Sequence, residues 1–143
     1  MKYFLIILLI VIPIKGQAKD FFLDITDQIQ DNEFRLSYGV SVTDVNKDNK
    51  FDFIVTGFGF KNLALTYKDG KLVNIINEEI FTDSSRRTIG VAACDIDKDG
   101  YEEIYFLNTD TYSGDKIYSD RLLDLNKDKF IDLFEIERNK TDL

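Results

Sequence analysis

The chain repeats one pattern twice: a short apolar strand, an acidic loop of nine residues and a second apolar strand. The two loops begin at Asp44 and Asp95, 51 residues apart. Further strand signals follow each loop, so the repeating unit has about four short strands and roughly 50 residues, as in a β-propeller blade. One such unit cannot bury its apolar face alone. The repeat therefore predicts an all-β protein of packed, antiparallel four-stranded blades, of which this chain holds about two.

Residues 38–43, before the first loop, alternate with a period of two, which is typical of a strand with one buried face, and each loop lies between apolar segments of strand length. Strands are predicted at 38–43, 51–56, 62–67 and 71–76 in the first unit, and at 89–94, 103–107, 121–125 and 130–134 in the second. Lys68-Asp69-Gly70, between the third and fourth strands, indicates a hairpin turn. Helical periodicity is almost absent, which favours an all-β fold.

The N-terminal residues have the pattern of a secretory signal peptide. Lys2 precedes an apolar run of 12 residues that ends at Ile14, and small residues precede a cleavage position after Ala18. The run is shorter than the roughly 20 residues of a membrane-spanning helix, so an uncleaved signal anchor is the alternative. The predicted organisation is a signal peptide at 1–18, a lead-in segment at 19–37, repeat 1 at 38–87 and repeat 2 at 88–143. This organisation predicts a secreted, extracellular protein.

The chain is strongly acidic. Its formal net charge is −8, and removal of residues 1–18, which hold two lysines and no acids, makes it −10. Such a chain repels nucleic acid and anionic lipid and suits cations or basic partners. We therefore predict extracellular protein partners of unknown identity, no nucleic-acid partner, and no membrane insertion after signal cleavage.

Each acidic loop has the spacing of a divalent-cation site, with oxygen-bearing side chains at positions one, three, five and nine. Ca²⁺ takes six to eight oxygen ligands from carboxylates, amides and backbone carbonyls. The predicted ligands are Asp44, Asn46, Asp48, Asp52 and the Lys50 carbonyl in the first loop, and Asp95, Asp97, Asp99, Glu103 and the Tyr101 carbonyl in the second. The second loop has four side-chain carboxylates against three in the first, so we expect it to bind Ca²⁺ more tightly. Gly100 supplies the positive φ that the turn requires, and Asn49 is the next best residue for it.

The acidic segments allow two other interpretations. EF-hands are excluded, because their twelfth loop residue is a glutamate and their flanks are helices, whereas Val55 and Phe106 stand here at position twelve. The stretch Asp124–Asp132 has the same acid spacing, but in the repeat alignment it falls on the hairpin of the first unit. We predict a hairpin there, with a third metal site as the alternative. Surface turns without an ion are the alternative for the two main loops.

Catalytic chemistry has little support in this sequence. The chain contains no histidine, so it has no Ser-His or Cys-His pair and no zinc site of the usual kind. Carboxylates in a Ca²⁺ cage are ionised ligands, which makes them unsuitable for acid–base catalysis. The prediction is that the chain is not an enzyme.

Three further features of the sequence bear on exposure and contacts. Cys94 is the single cysteine; we expect it to be buried as a small apolar residue, with an interchain disulfide or reactive thiol as the alternative. Asn139 begins a glycosylation sequon. The long insertion 108–120 is either a solvated excursion or a contact surface.

The loops with their flanks, 39–48 and 90–100, resemble FG-GAP (VCBS-type) repeats, the calcium-loop blades of integrin-α-like propellers. The segments 55–67, 71–75 and 94–108 are most similar to the cartilage acidic protein family, and the resemblance extends from about Phe22 to Asn139. Members of that family are secreted, with an FG-GAP propeller, an ASPIC/UnbV region and often a calcium-binding EGF-like module. Only the part similar to the first two blades is present here, and Asn49 replaces the usual glycine.

The resemblance implies an FG-GAP-type partial β-propeller that binds Ca²⁺ and has a matrix or adhesion-type role outside the cell. Two alternatives remain at this point. One is a propeller part of a secreted enzyme or lectin in which the acidic loops are purely structural. The other is a membrane-anchored adhesion ectodomain.

Overall fold

The computed structural model of the protein describes residues 22–109 and 117–136. The predicted signal peptide at 1–18, the Asn139 sequon and the middle of the insertion lie outside these ranges. Across the described part of the chain, helices are all too short or too polar to cross a lipid bilayer.

The first unit forms an antiparallel sheet in which each strand pairs with the next along the chain. Its strands are β1 (Val40–Thr43), β2 (Asp52–Val55), β3 (Leu63–Lys68) and β4 (Lys71–Asn74). Asp69 and Gly70 join β3 to β4 with φ values of 52° and 81°. Two positive φ values in a two-residue connection are typical of the hairpin turn whose twist matches that of strands. The predicted hairpin at this position is confirmed.

The second unit forms a sheet of the same topology. Its strands are β5 (Thr88–Cys94), β6 (Glu103–Asn108), β7 (Arg121–Asn126) and β8 (Lys129–Asp132). Lys127 and Asp128, with φ of 49° and 65°, form the turn between β7 and β8. The third acidic stretch is therefore a hairpin, as predicted. Its last residue, Asp132, pairs with Arg121 at 2.9 Å, so a salt bridge occupies the ninth position of the alternative third metal site.

The predicted fold class is confirmed, since the chain is mostly strand and forms two antiparallel four-stranded sheets consistent with blades of a partial propeller. Two elements fall outside the strand predictions. A single helical turn, α1 (Glu79–Thr82), links the sheets, and residues 133–136 are helical where the last predicted strand ends. In the lead-in segment, a 3₁₀ turn at Thr26–Gln28 precedes a parallel bridge between Ile29 and Leu72.

The apolar core lies where the two sheets pack against each other. Its buried members are Val45, Ile54, Ala64, Phe81, Ile104, Phe106, Leu123 and Phe130. Phe81 of α1 is fully buried, and its ring centroid lies 5.3 Å from that of Phe106 and 5.2 Å from that of Phe130. Aromatic rings at these separations and inclined to one another attract through their quadrupoles as well as by area burial. The short helix thus fills the space between the sheets with one aromatic side chain.

Cys94 is exposed, so the prediction that it is buried was wrong. Val91 and Ala93 of the same strand pack against the core. Because side chains alternate between the faces of a strand, Cys94 lies on the face that points away from the first sheet. The apolar run around it identified the strand correctly but carried no information about which face is covered.

A salt-bridge network fastens the end of α1 to the second sheet. Asp83 accepts from Arg86 Nε at 2.5 Å and from Arg121 Nε at 2.8 Å, and Arg121 Nη1 also reaches Asp132. The side chains of Asp83 and Asp132 are 10% and 1% exposed. These ion pairs join the helical linker to β7 and β8, beside the apolar core.

Candidate metal centre

The two acidic loops occupy equivalent places in the sheets, each between the first and second strand. The ninth residue of each loop, Asp52 or Glu103, is the first residue of the second strand, and both side chains are buried. Asp52 Oδ2 accepts the Val45 amide at 3.1 Å, and Glu103 Oε2 accepts the Ile96 amide at 2.6 Å. The ninth carboxylate therefore closes each loop onto its second residue.

The backbone between these ends is folded by hydrogen bonds to the other predicted ligands. In the second loop the amides of Asp99, Gly100 and Tyr101 donate to Asp97 Oδ1, Asp95 Oδ2 and Asp99 Oδ1 at 3.0, 3.2 and 2.8 Å. In the first loop the equivalent amides donate to Asn46, Asp44 and Asp48 at 3.1, 2.7 and 2.9 Å. Short polar side chains of this kind hydrogen-bond readily to the backbone two residues ahead. Both loops thus curl around the side chains that the sequence pattern selected.

The second loop brings its acids together. One carboxylate oxygen from each of Asp95, Asp97 and Asp99 lies within 4.8 Å of the other two. Asp95 Oδ1 is buried and has no hydrogen-bond partner. Across residues 22–109 and 117–136, this is the single group of three acidic, cysteine or histidine side chains so arranged. The first loop has an amide, Asn46, at the matching third position.

In the first loop, Asp52 is the residue that most strongly indicates a bound ligand. This side chain is completely buried, and its Oδ1 atom has no hydrogen-bond partner in the described structure. Burial is the main cause that raises the pKa of the Asp52 carboxyl, and hydrogen bonding to the Thr66 hydroxyl and to the Val45 amide opposes that shift. A buried carboxylate oxygen without a partner is costly unless a proton or a cation satisfies it. The loops offer oxygen ligands, which Ca²⁺ prefers, and they contain buried carboxylate oxygens without a hydrogen-bond partner. Both features fit Ca²⁺.

The two loops also contact each other, which sequence reasoning missed because it treats each loop separately. Lys47 Nζ lies 3.3 Å from the Asp99 carbonyl oxygen and 4.3 Å from the centroid of the Tyr101 ring. Nearby, the Thr43 hydroxyl donates to the Glu102 carboxylate. A lysine in the first loop therefore lies against the second loop, at the end of the sheets where both acidic loops are found.

The ten predicted ligands are eight side chains and two backbone carbonyl oxygens. Four lie in each loop as side chains, and the structure groups Asp95, Asp97 and Asp99 most closely. Asp52 and Glu103 lie at the base of their loops, each bound to a backbone amide. The metal-binding roles of all these residues, and of the Lys50 and Tyr101 carbonyl oxygens, stay predictions.

Comparison with known proteins places the acidic loops in a recognised repeat. Residues 44–106 match the FG-GAP-like repeat family, a range that begins with the first acidic loop and ends in β6 after the second. The chain is 42% identical to cartilage acidic protein 1 of Xenopus tropicalis over 137 residues, and 38% identical to that of Homo sapiens over 137 residues. It is 37% identical to cartilage acidic protein 1 of Mus musculus over 145 residues.

These alignments cover most of this chain but a small part of the relatives. They include 86–90% of the chain and 21–22% of each cartilage acidic protein. The chain thus spans about a fifth of the length of the curated relatives it matches. The resemblance to FG-GAP repeats and to cartilage acidic protein is confirmed.

Proposed function

Because this chain carries an FG-GAP-like repeat and is similar over most of its length to cartilage acidic protein 1, we propose that it is a secreted, non-enzymatic Ca²⁺-binding protein of the extracellular matrix type. The observation that carries the proposal is the equivalence of the two loops. Each has the same ligand spacing and the same closing hydrogen bond, and each contains a buried carboxylate oxygen without a partner. Two such loops at matching places in two sheets support a shared ligand.

The ion would act by stabilising the folded loops. Bound Ca²⁺ would supply positive charge to Asp52 Oδ1 and Asp95 Oδ1, which lack protein donors. Since the unfolded chain has no assembled site, binding adds RT ln(1 + [L]/Kd) to the free energy of unfolding. At millimolar extracellular Ca²⁺, a site with a Kd of about 10⁻⁴ M contributes about 1.4 kcal/mol. This is a structural role that requires no calcium signal.

The position of the loops supports a proposal about the cell-biological role. Both loops project from one end of the sheets and touch through Lys47 and Tyr101. Ions that fix their shape would give the protein a rigid acidic surface, which suits extracellular protein partners that carry positive charge. We propose an adhesion-type or matrix role for this surface.

The test is a Ca²⁺ titration by isothermal calorimetry, together with thermal melts, on the chain and on two single variants. Asp44→Ala removes the first carboxylate of the first loop, and Asp95→Ala removes that of the second. Glu33→Ala is the control, because it deletes an exposed acid outside both loops. We expect two sites in the parent and the control, and loss of a different single site in each loop variant.

The melts provide a second measurement of the same equilibrium. Ca²⁺ is expected to raise the melting temperature of the parent more than that of either loop variant, because each variant keeps only one site. If both loop variants bind Ca²⁺ like Glu33→Ala, the loops are not the binding sites. A parent that binds no Ca²⁺ at millimolar concentration would contradict the function itself.

A further inference from the structure

The two sheets meet through faces that are not equivalent in the repeat. Ile54 of the first sheet and Ile104 of the second are both completely buried in the shared core. Ile54 is the third residue of β2, whereas Ile104 is the second residue of β6. Because successive residues of a strand point to opposite sides, each sheet has a front face, with Ile54 or its equivalent Tyr105, and a back face, with Phe53 or its equivalent Ile104. Within the molecule, the front face of the first sheet packs against the back face of the second.

The back face of the first sheet exposes apolar side chains. Four of them are exposed to solvent, namely Val40, Val42, Phe53 and Tyr67. The strand registers make these residues equivalent to Val91, Ala93, Ile104 and Leu125 of the second sheet. All four equivalents lie in the core or pack against it. The first sheet thus leaves in solvent the apolar positions that the second sheet buries against its neighbour.

The front face of the second sheet is exposed in the complementary way. Ile96, the second residue of the second loop, is 61% exposed, whereas Val45 at the same place in the first loop is 5% exposed and belongs to the core. Cys94 is exposed, whereas its equivalent Thr43 is buried. These positions are covered in the first repeat and open in the second. The molecule therefore carries both halves of its own internal interface on its outside.

A pair of equivalent glycines marks how closely such faces approach. A Cβ on Gly39 would lie 3.0 Å from the Gly90 Cα, so the two sheets are in backbone contact there. A Cβ on Gly90 would meet only the Leu107 side chain, at 3.5 Å or more, which is an ordinary contact. Gly39 is thus required by the internal interface. Gly90 leaves the same space open on the front face of the second sheet, although nothing among the described residues fills it.

We propose that a second copy of this chain covers these faces. The back face of the first sheet in one copy packs on the front face of the second sheet in the next copy, and so continues between molecules the interface found within each. A contact between two different faces is head-to-tail, and it closes into a ring when the rotation allows. Propellers have about four to eight blades, so a ring needs about two to four copies. Assembly also supplies the third repeat that such units need to bury their cores.

The experiment measures the mass of the whole chain by sedimentation velocity over a concentration series, at about 0.15 M salt, where the Debye length is about 8 Å. Val42→Glu puts a charge on the back face, and Ala92→Glu puts one on the front face beside Cys94. Phe22→Glu is the matched control, because it changes an exposed apolar residue of the lead-in segment. We expect two to four copies for the parent and the control. Each face variant should associate at least about 100-fold more weakly, since an unpaired charge would be buried.

Mixing the two face variants tests the head-to-tail pairing. Val42→Glu keeps an intact front face and Ala92→Glu an intact back face, so an equal mixture should form a dimer of one copy of each. Gly90→Ala is a further variant that fits the single chain and should keep its melting temperature. It should associate about 10-fold more weakly or worse, because its methyl group fills the space that the next copy needs.

Alkylation of Cys94 locates the contact. Its rate should fall as the parent assembles, as expected for the position equivalent to buried Thr43, and should stay constant with concentration in Val42→Glu. A parent that is monomeric throughout the series would overturn the inference, and the two faces would then belong to a different polypeptide segment or protein. Association that survives both face variants, or a mixture of them that stays monomeric, would also overturn it.

Discussion

Lys47 and Lys98, at the fourth position of each acidic loop, have backbone φ values of 60° and 67°, and Asn49 and Gly100, at the sixth, have 65° and 90°. The left-handed region costs a residue with a Cβ about 1–2 kcal/mol. Gly100 avoids that cost and Asn49 tolerates the conformation better than most residues, so the cost falls mainly on Lys47 and Lys98, where the amide-to-side-chain hydrogen bonds of the loop offset it. The ligand side chains thus hold the loop shape as well as offering oxygens to an ion.

Gly100→Ala tests how the loop backbone and the contact between the loops are connected. A Cβ at Gly100 would lie 2.8 Å from Lys47 Nζ, so the lysine must move away from Tyr101. We expect the free energy of unfolding, measured in urea with EDTA, to fall by about 1–2 kcal/mol from the left-handed strain alone. We also expect weaker Ca²⁺ binding by the second loop in calorimetry.

Gly70→Ala is the matched control for this change. Gly70 has a φ of 81°, and its added Cβ would meet no atom within 4 Å. It should therefore lose a similar free energy of unfolding and keep the Ca²⁺ affinity of the parent. If the two variants bind Ca²⁺ equally well, displacement of Lys47 and strain in the second loop have no bearing on the metal site.

Among the secondary-structure elements, those with local signals were predictable. Strands β1 to β8 coincide with short apolar segments, of which β1 alternates in polarity, and Asp69-Gly70 has the turn chemistry of a two-residue hairpin. The short helix α1 was missed because four residues are too few for a helical period, and its position depends on Phe81 filling the core. Cys94 was placed on the wrong face because local sequence does not reveal which side of a sheet meets its neighbour.

In the candidate site, too, some residues were predicted from the sequence and others were not. Spacing alone identified the eight predicted side-chain ligands, since they lie within nine residues of one another in each loop. Thr66 beside Asp52 comes from another strand and Lys47 beside the second loop comes from the other loop, and only the strand register and the packing of the sheets bring them near.

The network between α1 and the second sheet gives the prediction at this scale. Arg121→Met leaves the nearly buried Asp132 without its cationic partner and removes one of the two arginines on Asp83. Loss of one member of a buried ion pair costs about 3–5 kcal/mol, because the remaining charge stays out of water. We expect a loss of about 3 kcal/mol in urea unfolding, at the lower end because Asp132 also accepts the backbone amide of Phe134 at 3.1 Å.

Two further variants serve as comparisons for the stability of Arg121→Met. Lys50→Met breaks the exposed pair with Asp48, which spans 3.8 Å, and should cost less than about 1 kcal/mol. The double variant Arg121→Met with Asp132→Asn should recover part of the stability, because no unpaired charge is left. An Arg121→Met protein as stable as Lys50→Met would contradict the view that this network joins the helix to the sheet.

At the scale of the whole molecule, charge distribution matters more than net charge. The formal net charge is −8, and the two acidic loops concentrate negative charge at one end of the packed sheets, where Lys47 bridges them. Asp124 and Glu102 add to this region from β7 and from the end of the second loop. These negative charges repel one another in the absence of a counter-ion, and divalent cations relieve that repulsion where it is strongest.

This arrangement predicts opposite salt responses with and without Ca²⁺. In EDTA, raising NaCl from about 0.01 M to about 1 M shortens the Debye length from about 30 Å to about 3 Å. The melting temperature should therefore rise as repulsion between the loops is screened. With saturating Ca²⁺ the same salt screens attraction between ion and carboxylates, so the melting temperature should stay level or fall.

Differential scanning calorimetry across the salt series measures both slopes, and the double variant Asp44→Ala with Asp95→Ala is the control. Its slope should be shallower in EDTA, because each loop has lost a carboxylate, and should not change sign on adding Ca²⁺. Parallel slopes for the parent in EDTA and in Ca²⁺ would mean that the acidic end does not govern the stability of the fold.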